Sequence, residues 1–138
     1  MQFQSKIIIN TSASNIFKQY QDVENWHTWD SDVQRASLDG AFIVGTRGIL
    51  QPTHGPQSSF TLTEVTLNQS FTTESMLPLC KLVFEHKLEA TVNGIQVIHT
   101  IHFNGLLSPI FGNLIGKNIK KGLPIALQSL KNQCENHI

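Results

Sequence analysis

Residues 106–138 read LLSPIFGNLIGKNIKKGLPIALQSLKNQCENHI, and this run decides the fold. From Ile110 to Leu130 its apolar residues recur mainly at three- and four-residue spacing, the period of an amphipathic helix. Lys117, Lys120, Lys121 and Lys131 supply polar positions around it. Pro109 suits a first helical turn, where its missing N–H is not needed, and Ser108 is placed to cap it. Gly112, Gly116 and Gly122 are costly inside a helix. They mark close packing, a kink or a break, and Pro124 either bends the helix or starts a last segment. A helix this long cannot bury its stripe alone. It must lie across a sheet, and the sheet must curve to receive it.

The sheet is legible upstream. Phe3–Asn10 is rich in isoleucine and reads as a strand, with Phe3, Ser5, Ile7 and Ile9 on one face. Caps at Asn10–Ser14 then precede Ala13, Ile16, Phe17 and Tyr20 at helical spacing, which predicts a helix ending near Gln21. Trp26, Trp29 and Val33 follow at helical spacings among acidic residues, in short helical turns. The two indoles either plug the core or form part of a cavity wall or lid.

Strands are expected over Arg35–Gly40, Phe42–Leu50, Ser59–Thr66 and Ser70–Leu77. A loop is expected at Gln51–Ser58, which holds Pro52, Gly55 and Pro56. Gly45 and Gly48 suggest bulges or close backbone approach. The clearest hairpin joins Leu79–Ala90 to Ile95–Asn104 through Asn93-Gly94. Leu82, Phe84, His86, Leu88 and Ala90 share its inner face, and Lys81, Glu85, Lys87 and Glu89 the outer one. A two-residue turn at Asn93-Gly94 pairs Val92 with Ile95. It sets His86 opposite Ile101 and Leu88 opposite His99, so the two histidines are inner-face diagonal neighbours. His102 falls outside.

Composition narrows the function. The 138 residues suffice for one domain, 1–138, and show no repeat or linker. Ten basic residues balance ten acidic ones. That balance gives no general drive toward nucleic acid or an anionic membrane. No run is long and apolar enough for stable membrane insertion, and the start does not resemble a secretory signal, so a cytoplasmic setting is expected. Cys80 and Cys134 read as structural thiols before a disulfide. No metal is expected, because His27, His86, His99, Cys80 and Cys134 lack ligand spacing. No phosphate loop or nucleophile elbow occurs, and no cofactor is implied.

An inner face carrying two imidazoles has three readings. They are satisfied core histidines, ligand contacts, or catalytic groups. A cavity between helix and sheet would be approached by Tyr20, Trp26, Phe84, His86, His99, Ile101, Phe111, Leu114 and Ile115.

The segment from Ile9 to Phe17, the Tyr20–Asp30 stretch with its Asp22-x-x-x-Trp26-x-x-Trp29 pattern, Gly45-Thr46, Phe84-Glu85-His86, Phe103-Asn104-Gly105, Gly122-Leu123-Pro124 and Leu130-Lys131 follow one another in a familiar order. In these the chain resembles the START-like, Bet v 1-like superfamily, and within it the bacterial polyketide cyclase/dehydrase-like (SRPBCC) proteins. The resemblance covers nearly the whole chain. It implies an α+β helix-grip fold: a seven-stranded antiparallel sheet curved around a long C-terminal helix, with two short helices near the N-terminus and a cavity inside. It further implies a small hydrophobic or amphipathic ligand, of lipid, sterol or polyketide type. Aromatase-type members use a pocket arginine with tyrosine or tryptophan. Neither Arg35 nor Arg47 is matched to that arginine, so no catalytic residue is carried over. A cyclase using the same cavity and a chaperone-like partner-binding domain are the competing expectations.

Overall fold

The structure is a computed structural model that describes residues 1–136. The last two positions of the predicted helical run, 137 and 138, lie outside the described residues. The elements run β1 (Gln2–Ile9), α1 (Ala13–Gln21), a 3₁₀ helix (Val23–Thr28), β2 (Val33–Leu38), β3 (Arg47–Pro52), β4 (Ser58–Thr66), β5 (Ser70–Leu77), β6 (Cys80–Thr91), β7 (Gly94–Asn104), α2 (Ser108–Leu114) and α3 (Gly116–Glu135). The seven strands form one antiparallel sheet in the order β1-β7-β6-β5-β4-β3-β2. This is a helix-grip architecture, with the sheet curved as a half-barrel, the long C-terminal helix against it and the short helices after β1.

Local chemistry accounts for most boundaries. Ser12 caps α1, its Oγ accepting the Asn15 N–H at 3.1 Å. Phe42–Thr46, predicted as strand, is loop instead. Here Gly45 at φ +96° donates its N–H to the Leu62 carbonyl, and β3 starts only at Arg47. At Gly48 the Phe60 ring and the Ser37 carbonyl lie where a side chain would go, which is the close approach the glycine signalled. Leu107, not Ser108, occupies the cap of α2, with Pro109 in its first turn. The helix is interrupted at Ile115, not at Gly122-Pro124, through which α3 runs on. Gly116 sits there because the Phe3 ring packs directly on it, in the space a Cβ would take.

The long hairpin corrects the register. Its turn is Val92-Asn93, with Thr91 paired to Gly94. The Thr91 hydroxyl donates to the Gly94 carbonyl at 2.7 Å and accepts the Asn93 N–H at 3.2 Å, which draws the turn one residue toward the N-terminus. Both arms change together, so the shift across the ladder is two residues and every side chain keeps its predicted face. His86 therefore stands directly opposite His99, Leu88 opposite Val97 and Phe84 opposite Ile101.

Two hydrophobic clusters fill the concave side. The larger gathers Ile16, Phe17 and Tyr20 of α1, Trp26, Trp29, Phe60, Leu62 and Phe71, with Leu127 and Leu130 of α3. The smaller gathers Cys80, Ile101, Phe103 and Leu123 beneath α2. Both cysteines are buried free thiols.

Candidate functional site

The polar groups buried in this interior meet at the middle of the β6–β7 ladder. α1 delivers Tyr20, whose hydroxyl lies 2.8 Å from His99 Nε2 with both groups fully buried. β6 delivers His86, sandwiched between Phe71 (ring centroids 3.9 Å, 6°) and Phe84 (4.1 Å, 18°). The two imidazoles meet edge to face at 4.6 Å. His86 Nδ1 is 3.2 Å from the Phe71 carbonyl. A carbonyl only accepts, so neutral His86 carries its proton on Nδ1 and keeps Nε2 as a free lone pair. Trp26 Nε1–H donates to the Tyr20 carbonyl at 2.9 Å, satisfying one of the carbonyls left open at the end of α1. Trp29, tilted against Tyr20 and His99, is different. Its indole N–H is buried and has no partner among the described residues. An orphan donor in such a place costs about 1–3 kcal/mol.

Burial sets the protonation states. Desolvation, reinforced by the neighbouring His99 and partly opposed by the bond to the Phe71 carbonyl, holds His86 well below the usual imidazole range. Desolvation lowers His99 to about 3. The Tyr20 phenol is raised well above its ordinary value by burial. At neutral pH the site is an uncharged set of donors and acceptors in aromatic surroundings. Asp30 is shifted the other way, to about 6, mainly by desolvation, against the N–H bond it accepts from Asp32 at 3.0 Å.

These shifts make stability depend on pH with a definite sign. Unfolded histidine takes a proton near 6.5, whereas folded His99 resists down to about 3 and His86 resists likewise. The unfolded chain thus binds more protons as pH falls, and stability drops between about pH 6.5 and 3. Asp30 opposes this between about 6 and 3.8, one group against two. Each net proton is worth about 1.4 kcal/mol per pH unit. The melting temperature is expected to fall from pH 7 to 4.5, and the fall to be shallower in His86→Phe, whose ring keeps the stack. A flat wild-type profile would contradict the neutral, buried histidines.

The sequence-predicted site residues divide into two neighbourhoods and one outlier. Tyr20, Trp26, His86 and His99 belong to the aromatic group just described. Phe84, Phe111 and Ile115 pack, partly open, on the smaller cluster around Ile101. Phe84 joins the two, stacked on His86 and edge-on to His99 at 5.7 Å. Leu114 is the outlier, exposed on the outer side of α2. The inward phase is set by Leu107, Phe111, Ile115 and Ile119 at four-residue steps, and Leu114 lies one position off that stripe. Phe71 and Phe42, which pack on the site at 5.2 Å from each other, went unassigned. Phe71 could have been found from β5, since it faces His86 across the β5–β6 ladder. On the outer face His102 Nε2 and Glu85 Oε2 pair at 3.0 Å, away from the inner histidines.

At its centre the expected hollow is occupied by packed rings, Tyr20 and Phe71 standing 4.8 Å apart. Two open clefts lie elsewhere. One of about 420 Å³ is lined by Thr28, Ser129, Asn132, Gln133 and Asn136. Another of about 240 Å³ lies between Gln21–Glu24 and Leu38, Gly40 and Phe42. Among the described residues no group of three metal-ligating side chains forms, and no helix is long and apolar enough to cross a membrane.

Comparison with known proteins places this geometry. Residues 1–135 match the family model described as polyketide cyclase/dehydrase and lipid transport. Protein MLL2253 from Mesorhizobium loti is similar in structure, with TM-score 0.80, 15% identity, and coverage of 100% of this chain and 99% of that one. The di-domain ARO/CYC StfQ from the steffimycin biosynthetic pathway gives TM-score 0.79 at 12% identity, over 98% of this chain and 50% of that one. Ara h 8.0201 gives 0.77 at 12%, over 99% of both. At these identities the likeness shows the fold alone. A search of curated proteins finds no match.

Proposed function

The chain belongs to the polyketide cyclase/dehydrase and lipid transport family, and on that premise we propose that it is a binding protein for a small, uncharged, largely apolar ligand carrying a hydroxyl or carbonyl group. The observation that carries this reading is the buried polar set: the Tyr20–His99 pair, His86 with Nε2 free, and the orphan Trp29 N–H, all within aromatic walls. Ligand sites commonly combine apolar linings with a few placed polar groups. The apolar body would lie along the partly open cluster of Leu82, Phe84, Phe111, Ile115 and Ile119 under α2. Its oxygen would reach past Phe84 to the histidines, a hydroxyl donating to His86 Nε2 or accepting from Trp29. A carboxylate fits poorly, because neutral imidazoles offer it no charge.

Catalysis is the weaker reading. A general base works best with a pKa near the operating pH. His99 at about 3 is a feeble base at neutral pH, and Glu85, which could orient a histidine, is spent on His102 outside.

The test uses prodan, a fluorescent naphthalene ketone with one carbonyl. Its emission should blue-shift on binding, and apolar alcohols of lipid, sterol or polyketide type should displace it. Phe84→Ala, which removes the ring between the two neighbourhoods, should change its affinity while Val92→Ala, at the exposed hairpin tip, does not. Prodan emission unchanged by the protein, with no apolar alcohol or ketone detectably bound by calorimetry, would count against the proposal.

A further inference from the structure

The balanced charge of the chain hides a strong local separation. Between Leu106 and Cys134 fall four of the ten basic residues and none of the ten acidic ones, so the remainder is net negative. Lys117, Lys120 and Lys121 are all exposed in the first turns of α3. Immediately before them Leu106, Ile110 and Leu114 are 80%, 53% and 70% exposed. Ile110, Leu114, Lys117 and Lys121 follow at steps of four, three and four residues, one stripe along α2 and the start of α3, and Leu106 sits in the turn just before it. The break between α2 and α3 at Ile115 is shallow, since Ile115 keeps right-handed helical angles, donates to the Phe111 carbonyl at 2.8 Å and accepts from the Ile119 N–H at 3.2 Å. The Leu107 N–H donates to the Leu79 carbonyl at 3.0 Å, which brings the β5–β6 turn beside this stripe with Leu79 and Met76 also exposed.

An apolar stripe of this size left in water, bordered by lysines, has a specific counterpart. We propose that the α2 face and the start of α3 dock on an anionic lipid bilayer, with Leu106, Ile110 and Leu114 entering the interface and Lys117, Lys120 and Lys121 at the headgroups. The charge pattern favours a lipid surface over a second copy of this chain, whose own stripe is equally basic and would repel it. Among the described residues no helix is long and apolar enough to cross, and lying in the interface plane asks for neither. The docked face is the outer side of the same helix whose inner side covers the smaller apolar cluster.

Sedimentation with vesicles tests this without reference to any internal ligand. The full chain should bind vesicles of phosphatidylcholine with 30 mol% phosphatidylglycerol far better than phosphatidylcholine alone, and 0.5 M NaCl should release it. Replacing the three lysines by glutamine should weaken binding about 100-fold. Leu114→Ser should weaken it about 10-fold or more. Both variants alter exposed positions, and unchanged melting curves would show that they remain folded. Equal sedimentation with both vesicle types, none with either, or a solution dimer broken by Leu114→Ser would overturn the proposal.

Discussion

Trp26→Ala is expected to lose about 3–5 kcal/mol of unfolding free energy, read as a shift in the urea midpoint at constant slope. The ring is 7% exposed, stacked on Phe60 at 5.7 Å and 25°, and tilted on Phe71 at 6.0 Å. Its removal opens a cavity that rigid neighbours cannot close, and strips the Tyr20 carbonyl of its donor. Trp29→Ala should fall in the same range by packing. The phenylalanine pair separates the two tryptophans. Trp26→Phe gives up a made hydrogen bond, whereas Trp29→Phe removes a buried N–H that has no partner. Trp26→Phe should therefore be the more destabilising. An alanine variant at either site that unfolds with the wild type would mean that its ring is a surface lid.

The second large effect concerns binding. His86→Gln should weaken an apolar alcohol about 10-fold or more by calorimetry, because its hydroxyl loses the Nε2 acceptor, and loss of a buried hydrogen-bonding group commonly costs about 1–3 kcal/mol. His99→Gln should act in the same direction, because it breaks the 2.8 Å bond that holds the Tyr20 hydroxyl in the site. Under the binding account these are changes in affinity alone, with no wild-type turnover for them to abolish. Under a catalytic account the histidine variants would lose turnover and keep affinity, because a base counts mainly in the transition state. Steady, histidine-dependent cyclisation of a poly-β-ketone by the purified protein would decide for the enzyme.

The helix-grip fold was legible because its signals are periodic and redundant. The stripe of residues 110–130 demanded a sheet, and the parity of β6 and β7 put His86, His99 and Ile101 inside whichever turn closed the hairpin. The turn itself was misread, since Thr91 competes for the local hydrogen bonds and no periodicity records that. Phe42–Thr46 was misread as strand because its apolar residues suit one, while the tertiary bond from Gly45 to Leu62 decides otherwise. Leu114 shows the limit of helical spacing as a guide. Positions 110, 111, 114 and 115 are all apolar, and only packing against Phe3 and Ile101 determines which pair turns inward. The Tyr20–His99 bond joins residues 79 apart in sequence, so no local pattern could pair them.

We propose that an uncharged apolar molecule lies along the partly open cluster under α2, with its oxygen reaching past Phe84 to the buried imidazoles. Native mass spectrometry of the protein purified from its own host addresses it most directly, followed by organic extraction and identification of whatever is released. One small molecule per chain is expected, apolar over most of its length, with a hydroxyl or carbonyl and no charge. Occupancy should fall in His99→Gln prepared the same way. A chain that leaves its host empty in both forms, and takes up nothing from a total lipid extract of that host, would contradict it.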